Sequence, residues 1–240
     1  IIDDPSVLLD GDVVVSNSLP AWLALNTLVE PYPVGYSVSV MLYPSFAVPE
    51  NLPPPYATVH IEPSGTTAFV VHTLTKAYNW SGTSFTDITG TWTASTATQH
   101  VRMISYVSSG TNWLLRTNNV NDIDICDGAA AAFINAGGSP PNFRDFCSVG
   151  GRVLGVYPLG FEHRVRWNDI DDIDSWTSTN FAELDSTPDF LVAVKPFGPL
   201  AAGVYKEDSV WTAISQVARQ PFQFQLVATV PGPLSPAALI

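Results

Sequence analysis

Positive charge is scarce in this sequence. Ten Lys and Arg stand against 22 Asp and Glu, a formal net charge of −12 over 240 residues. Phosphate contacts rest on Lys and Arg, so this balance disfavours a protein that grips nucleic acid. The deficit is uneven. No Lys or Arg precedes Lys76, whereas Asp3, Asp4, Asp10, Asp12, Glu30, Glu50 and Glu62 all do. An acidic solvated surface that keeps the chain soluble is the plain explanation. A surface that polyanions slide past is the sharper one.

Thiols and catalytic signatures are scarce as well. Only Cys126 and Cys147 occur, with no C-x-x-C spacing, so two buried free thiols are expected rather than a disulfide or metal framework. No apolar run approaches the ~18 residues of a membrane span, and the N-terminus lacks the basic-then-apolar pattern of a secretory signal. It also lacks an initiating Met, and a piece of a longer chain is expected. Gly35-Tyr36-Ser37 and Gly82-Thr83-Ser84 lack the second Gly of a nucleophile elbow. Lys76, Lys195 and Lys206 never follow Gly, which removes a phosphate-binding loop. His60, His72, His100 and His163 form no H-x-x-x-H pair, although His60 and His72 could meet across strands. Among 22 acidic residues no pair is singled out as the two carboxylates of a glycosidase. Asn79-Trp80-Ser81 matches a glycosylation sequon, as short motifs do by chance. Catalysis is not visible in this sequence, and neither a cofactor nor a catalytic residue is assigned.

What is present points to strands. Apolar residues make up 46% and charged ones 13%, with 20 Pro and 16 Gly, a mixture suited to short strands and tight turns. Residues 1–57 stand apart. Val13–Val15 and Tyr36–Val40 read as strands and Ala21–Leu28 as a short helix after Pro20. Pro31, Pro33, Pro44, Pro49, Pro53, Pro54 and Pro55 then favour an extended arm.

From residue 58 to 240 four sets of strand-like runs follow, each about 45 residues long, near the period of propeller blades. They are Thr58–Ile61, Thr67–His72, Lys76–Trp80 and Phe85–Ile88; then Val101–Val107, Trp113–Thr117, Ile123–Cys126 and Ala129–Ile134; then Phe143–Val149, Arg152–Tyr157, Arg164–Trp167 and a strand near Trp176; and last Phe190–Val194, Leu200–Tyr205, Ser209–Ile214 and Phe222–Leu226. The fold class expected is all-β, with β-propeller blades and an extended proline-rich N-terminal arm; a β-sandwich pair is the competing architecture. Ala68–Val71 is continuously apolar, as a strand covered on both faces would be.

Two features of the stretch from Arg152 to Trp211 invite a functional reading. Asp169, Asp171, Asp172 and Asp174 put four carboxylates in six residues, a density that calcium would accept. The helix-loop-helix calcium pattern fails, because its Gly position holds Asp174 and its final Glu position holds Asn180. Turn carboxylates partly neutralised by Arg164 and Arg166 are the favoured reading; a metal site is the lesser one. Asn121, Asp122, Asp124 and Asp127 form a weaker version. Trp80, Trp92, Trp113, Trp167, Trp176 and Trp211 recur near strand ends, where packing between sheets is expected and a glycan platform is the alternative.

The order Asn142-Phe143-Arg144, Gly151–Leu154, Arg164–Trp167 and Asp172–Trp176, followed by Asp189–Val194, Gly203–Val210 and Pro231–Pro236, resembles a known family. It is similar to the propeller region of the packaged-DNA stabilisation and tail nozzle (tail tubular) proteins of short-tailed phages. The likeness covers residues 76 to 240; Asn168 departs from it where the family more often has Ser. The resemblance implies a virion protein of the tail, made in the host cytoplasm, without enzymatic activity. Identical subunits would form a ring, next to the portal adaptor and other tail proteins. That ring would retain the packaged genome and conduct it during ejection, with double-stranded DNA passing the lumen without specific binding and no membrane-spanning segment. A propeller that binds or cleaves host glycan is the alternative.

Overall fold

The computed structural model describes residues 39–41, 56–61, 67–80, 84–95, 101–127, 132–216, 221–233 and 235. Val13–Val15, Ala21–Leu28 and the proline-rich stretch of the expected arm lie outside them. Among the described residues there is no helix, and the strands form four antiparallel sheets.

The first sheet runs β1 (Ser39–Met41), β2 (Tyr56–Ile61), β3 (Thr67–His72), β4 (Ala77–Trp80) and β5 (Phe85–Asp87). The second runs β6 (Arg102–Ser108), β7 (Thr111–Thr117), β8 (Asp124–Cys126) and β9 (Ile134–Asn135). The third holds β10 (Phe143–Val149), β11 (Arg152–Pro158), β12 (Arg164–Trp167) and β13 (Phe181–Glu183). The fourth holds β14 (Leu191–Gly198), β15 (Ala201–Lys206), β16 (Val210–Ser215) and β17 (Phe222–Ala228). In every sheet the spatial order follows the chain, so each is a simple meander.

Local chemistry sets the hairpins. Ser109-Gly110 and Gly150-Gly151 each adopt positive φ at both residues, the backbone of a two-residue turn whose twist matches its flanking strands. They close β6 on β7 and β10 on β11 with Ser108 opposite Thr111 and Val149 opposite Arg152. A Cβ on Gly155 would meet the Phe143 ring at 2.4 Å, so that strand position needs glycine for close packing.

Three expectations are corrected. The last strand of the third sheet is Phe181–Glu183 and not a run near Trp176, which occupies an irregular loop. Of the strand expected over Ala129–Ile134, residues 132 and 133 are irregular and the strand found is Ile134–Asn135; residues 128–131 lie outside the described set. His60 pairs with Ala68 and His72 with Tyr56, so the two histidines are not cross-strand partners.

Each pair of successive sheets shares one apolar core. Ala68 and Val70 meet Leu114, Cys126 and Phe133 between the first and second sheets. Tyr106, Leu115 and Ile125 meet Phe143, Phe146 and Val153 between the second and third. Leu154, Val156 and Trp167 meet Leu191, Val204 and Trp211 between the third and fourth. Burial of large apolar side chains supplies about 1.5–3 kcal/mol each, and these seams are where it accrues. Ala68–Val71 is buried throughout, as its continuous apolar pattern implied. The opening strands line up as well: β10 lies against β6 on one side and β14 on the other. Among the described residues no helix is long and apolar enough to cross a membrane.

Candidate functional site

The acidic loop between β12 and β13 is held from beneath. Ile173 and Trp176 are buried in the core between the second and third sheets, with the Trp176 ring 5.7 Å from that of Phe143. Trp176 Nε1 donates to Ile173 O at 2.7 Å, which fixes the indole as a plug. Asn168, fully buried, ties the loop to two sheets. Its Oδ1 accepts from Val153 N at 2.6 Å, and its Nδ2 donates to Tyr106 Oη at 2.9 Å and Asp172 O at 2.8 Å. A serine at this position, with a single hydroxyl donor, could not make all three bonds.

The four carboxylates point to different tasks. Asp169 accepts from Ser175 Oγ at 2.6 Å, Thr177 Oγ1 at 3.0 Å and Asn180 Nδ2 at 2.8 Å. The Ser175 hydroxyl, then the Asn180 amide, hold its carboxyl below the usual range. Asp172 Oδ1 accepts from Asp174 N at 3.1 Å, and Asp174 Oδ1 from Gly137 N at 2.6 Å. Asp171 is exposed, with φ of 53°, and works through its backbone: its N–H donates to Gly151 O at 2.8 Å, and its carbonyl accepts from Ser109 N at 2.9 Å and Ser108 Oγ at 3.1 Å. Among the described residues no three His, Cys, Asp or Glu side chains gather as a metal would require. The arginine expected to neutralise the loop is a different one. Arg164 pairs with Glu183 at 2.5 Å and Arg166 Nη2 reaches Thr177 O at 3.4 Å, while Arg152 lies 3.9 Å from Asp169.

This loop belongs to a laced end of the molecule. Ser109 N donates to Asp171 O, Asp171 N to Gly151 O, Gly150 N to Pro199 O and Ser215 N to Leu200 O, joining turns of three sheets. Exposed apolar side chains crown that end, among them Ile170, Phe197 and Leu200.

Charged residues that the sequence reading passed over sit inside the seams. Arg116, fully buried on β7, donates from Nε and Nη2 to Asp124 Oδ2 at 3.1 and 2.8 Å and meets His72 Nε2 at 3.0 Å. Its guanidinium lies between the rings of Trp92 and Phe133, 4.2 and 4.0 Å from their centroids. Burial, then the Arg116 charge, brings His72 down to about 3, so it is a neutral acceptor near neutral pH. Burial brings Arg116 only to about 10, and it stays charged. The group holds no nucleophile, and its His72 and Arg116 are 0% exposed.

Asp145, fully buried on β10, does the same for three sheets. Its Oδ1 accepts from Arg102 Nε at 2.6 Å, and its Oδ2 accepts from Val194 N at 3.0 Å with Lys195 Nζ at 3.8 Å. Lys206 Nζ donates to Leu184 O, Thr187 O and Thr187 Oγ1, each at 2.7 Å, and lies 3.4 Å from Asp189. The sequence signal for the Arg116 clamp is a lone charge closing an apolar run, Trp113-Leu114-Leu115-Arg116, whereas Asp145 stands beside Arg144 in Phe143-Arg144-Asp145-Phe146 and carries no such signal.

Cys126 and Cys147 are both buried and free, as expected, and burial pushes the Cys147 thiol well above its ordinary range. Asn121 and Asp124 serve separate networks, Asn121 holding Thr93 and Asn118 while Asp124 holds Arg116. Among the described tryptophans Trp167, Trp176 and Trp211 are buried and Trp80, Trp92 and Trp113 half-buried. No protein-family model matches this chain, and no curated protein matches it.

Proposed function

We propose that the chain is a structural virion protein of a phage tail, a nozzle or hub component that helps retain the packaged genome and conducts it during ejection. In this reading it is not an enzyme, and its four meander sheets are consecutive blades of a β-propeller. Its partners are identical subunits in a ring, the portal adaptor and other tail proteins.

The observation that carries the reading is the stacking order. Successive meanders share cores, and the first strands of the second, third and fourth, β6, β10 and β14, lie side by side, the arrangement that blades around an axis require. It coincides with residues 76 to 240, where the resemblance to tail nozzle proteins lies. The buried charges support a scaffold role: Arg116 reaches His72 of the first sheet, Asp145 holds Arg102 and Val194 of its two neighbours, and Lys206 holds the chain that leads into the fourth. A net charge of −12 denies DNA phosphates their usual contacts, which suits a lumen that must release its genome. Exposed Ile170, Phe197 and Leu200 suit contact with neighbouring tail proteins.

Imaging of purified virions tests the proposal. A ring of this chain at the tail is the expected result, and a tail that contains no copy of it sinks the idea. The glycan-directed alternative calls for exposed Trp or Tyr in a shallow pocket; the described tryptophans are buried or half-buried, and binding on a glycan array would favour that alternative instead.

A further inference from the structure

Sheet edges carry unpaired backbone groups that recruit other strands unless something blunts them. Three outer edges here are blunted. β5 has three residues and ends on Asp87, paired with Lys76. β9 has two residues, and β13 has three and carries Glu183, paired with Arg164. β17 has seven residues, Phe222-Gln223-Phe224-Gln225-Leu226-Val227-Ala228, without charge, Pro or Gly. No described strand pairs with its outer side, and Leu226 and Val227 are exposed.

We propose that this edge is where a second copy of the chain binds, its β17 running antiparallel with the two-fold axis at Phe224. The backbone sets that register. Ser215 N donates to Leu200 O at 2.7 Å, so the polar groups of Ser215 turn away from β17. Phe222, opposite Ser215, therefore turns its N–H and C=O outward, and by strand alternation so do Phe224 and Leu226. A two-fold axis at Phe224 sets Phe224 against Phe224 and Phe222 against Leu226 of the second copy, which uses every one of these outward groups. The register shift opposite Val210 and Trp211 falls beyond the paired span. Aromatic and aliphatic side chains then face each other, and Gln223 faces Gln225.

Two copies each carrying −12 repel overall; β17 is uncharged, so pairing it with itself sets no like charges against each other. The contact is isologous and joins two copies only, so it is separate from the head-to-tail contacts that a ring would need and does not depend on the tail reading.

Mixed-variant cross-linking tests it. Residues 223 and 225 would form a pair without hydrogen bonds, with Cα atoms about 4.5 Å apart, within disulfide range. Under mild oxidation a mixture of Gln223→Cys and Gln225→Cys chains is expected to give covalent dimers, while either variant alone gives none. In sedimentation the native chain is expected to dimerise with concentration. Leu226→Pro, which removes an outward N–H that the sheet itself does not use, is expected to weaken dimerisation about tenfold or more. A chain that stays monomeric at its highest soluble concentration overturns the proposal. So does a mixture that forms no cross-link, or an assembly that Leu226→Pro leaves unchanged.

Discussion

The third and fourth sheets share a plan and differ in how they are finished. The third is covered on both faces, held by Asp145 to Arg102 on one side and to Val194 and Lys195 on the other. Its outer strand is short and its edge charge is paired. The fourth shares a described core with the third alone, and its outer strand is long and uncharged. Where neighbours supply the cover the edge is closed, and where they do not the edge is left able to pair. That difference gives the two sheets separate roles, one as a keystone of the fold and one as a surface for assembly.

The keystone side carries the largest expected effect. Asp145→Ala strands Arg102, Lys195 and the Val194 amide, and urea denaturation is expected to show a loss of about 3–5 kcal/mol. Asp145→Asn, which can still accept from Val194, should lose less. Lys206→Met tests the clamp between the third and fourth sheets. It leaves the carbonyls of Leu184 and Thr187 without their donor, and a loss of about 2–3 kcal/mol is expected by the same measurement.

Acid sensitivity should be greatest at the seam between the first and second sheets. His72 is held near 3 in the folded chain, against 6.5 as its ordinary value. The unfolded chain takes up that proton first as pH falls. The stabilising contribution of His72 is therefore complete above pH 6.5 and lost progressively down to about pH 3. Its slope approaches about 1.4 kcal/mol per pH unit, and a His72→Gln chain should lack it in denaturation curves taken across that range. Asp189 acts in the same direction at lower pH. Burial raises its pKa, but the Thr187 hydroxyl, the Asp208 amide and the Ser209 hydroxyl lower it further, so its contribution is present above about pH 4 and fades below. The smallest effect is expected at the blunted edge. Arg164 and Glu183 are partly exposed, and Arg164→Ala should cost under about 1 kcal/mol in the same assay.

Strand rhythm was legible in the sequence because turns announce themselves. Alternating apolar runs broken by Gly, Pro and Ser clusters located nearly every described strand within a few residues. The Trp176 segment misled because a Trp amid Asp and Ser reads equally as a strand end or a loop plug, and only the core beneath Ile173 decides between them. The roles of the aspartates were legible in kind, as turn acceptors, though their partners were not. Arg152 rather than Arg164 approaches Asp169 because strand register, invisible in the sequence, puts Arg164 opposite Glu183. The clamps were out of reach altogether. His72, Arg116 and Asp124 come from two sheets and 52 positions of chain, and nothing local ties them together.

Residue-resolved amide hydrogen exchange along β17 tests most directly whether the fourth sheet is the open one. In dilute solution the outward amides of Phe222, Phe224 and Leu226 are expected to exchange freely, while those of Gln223 and Gln225, turned toward β16, are protected. Raising the protein concentration should protect the outward set as well. Outward amides that are protected at every dilution, or that stay unprotected at every concentration, would contradict the account.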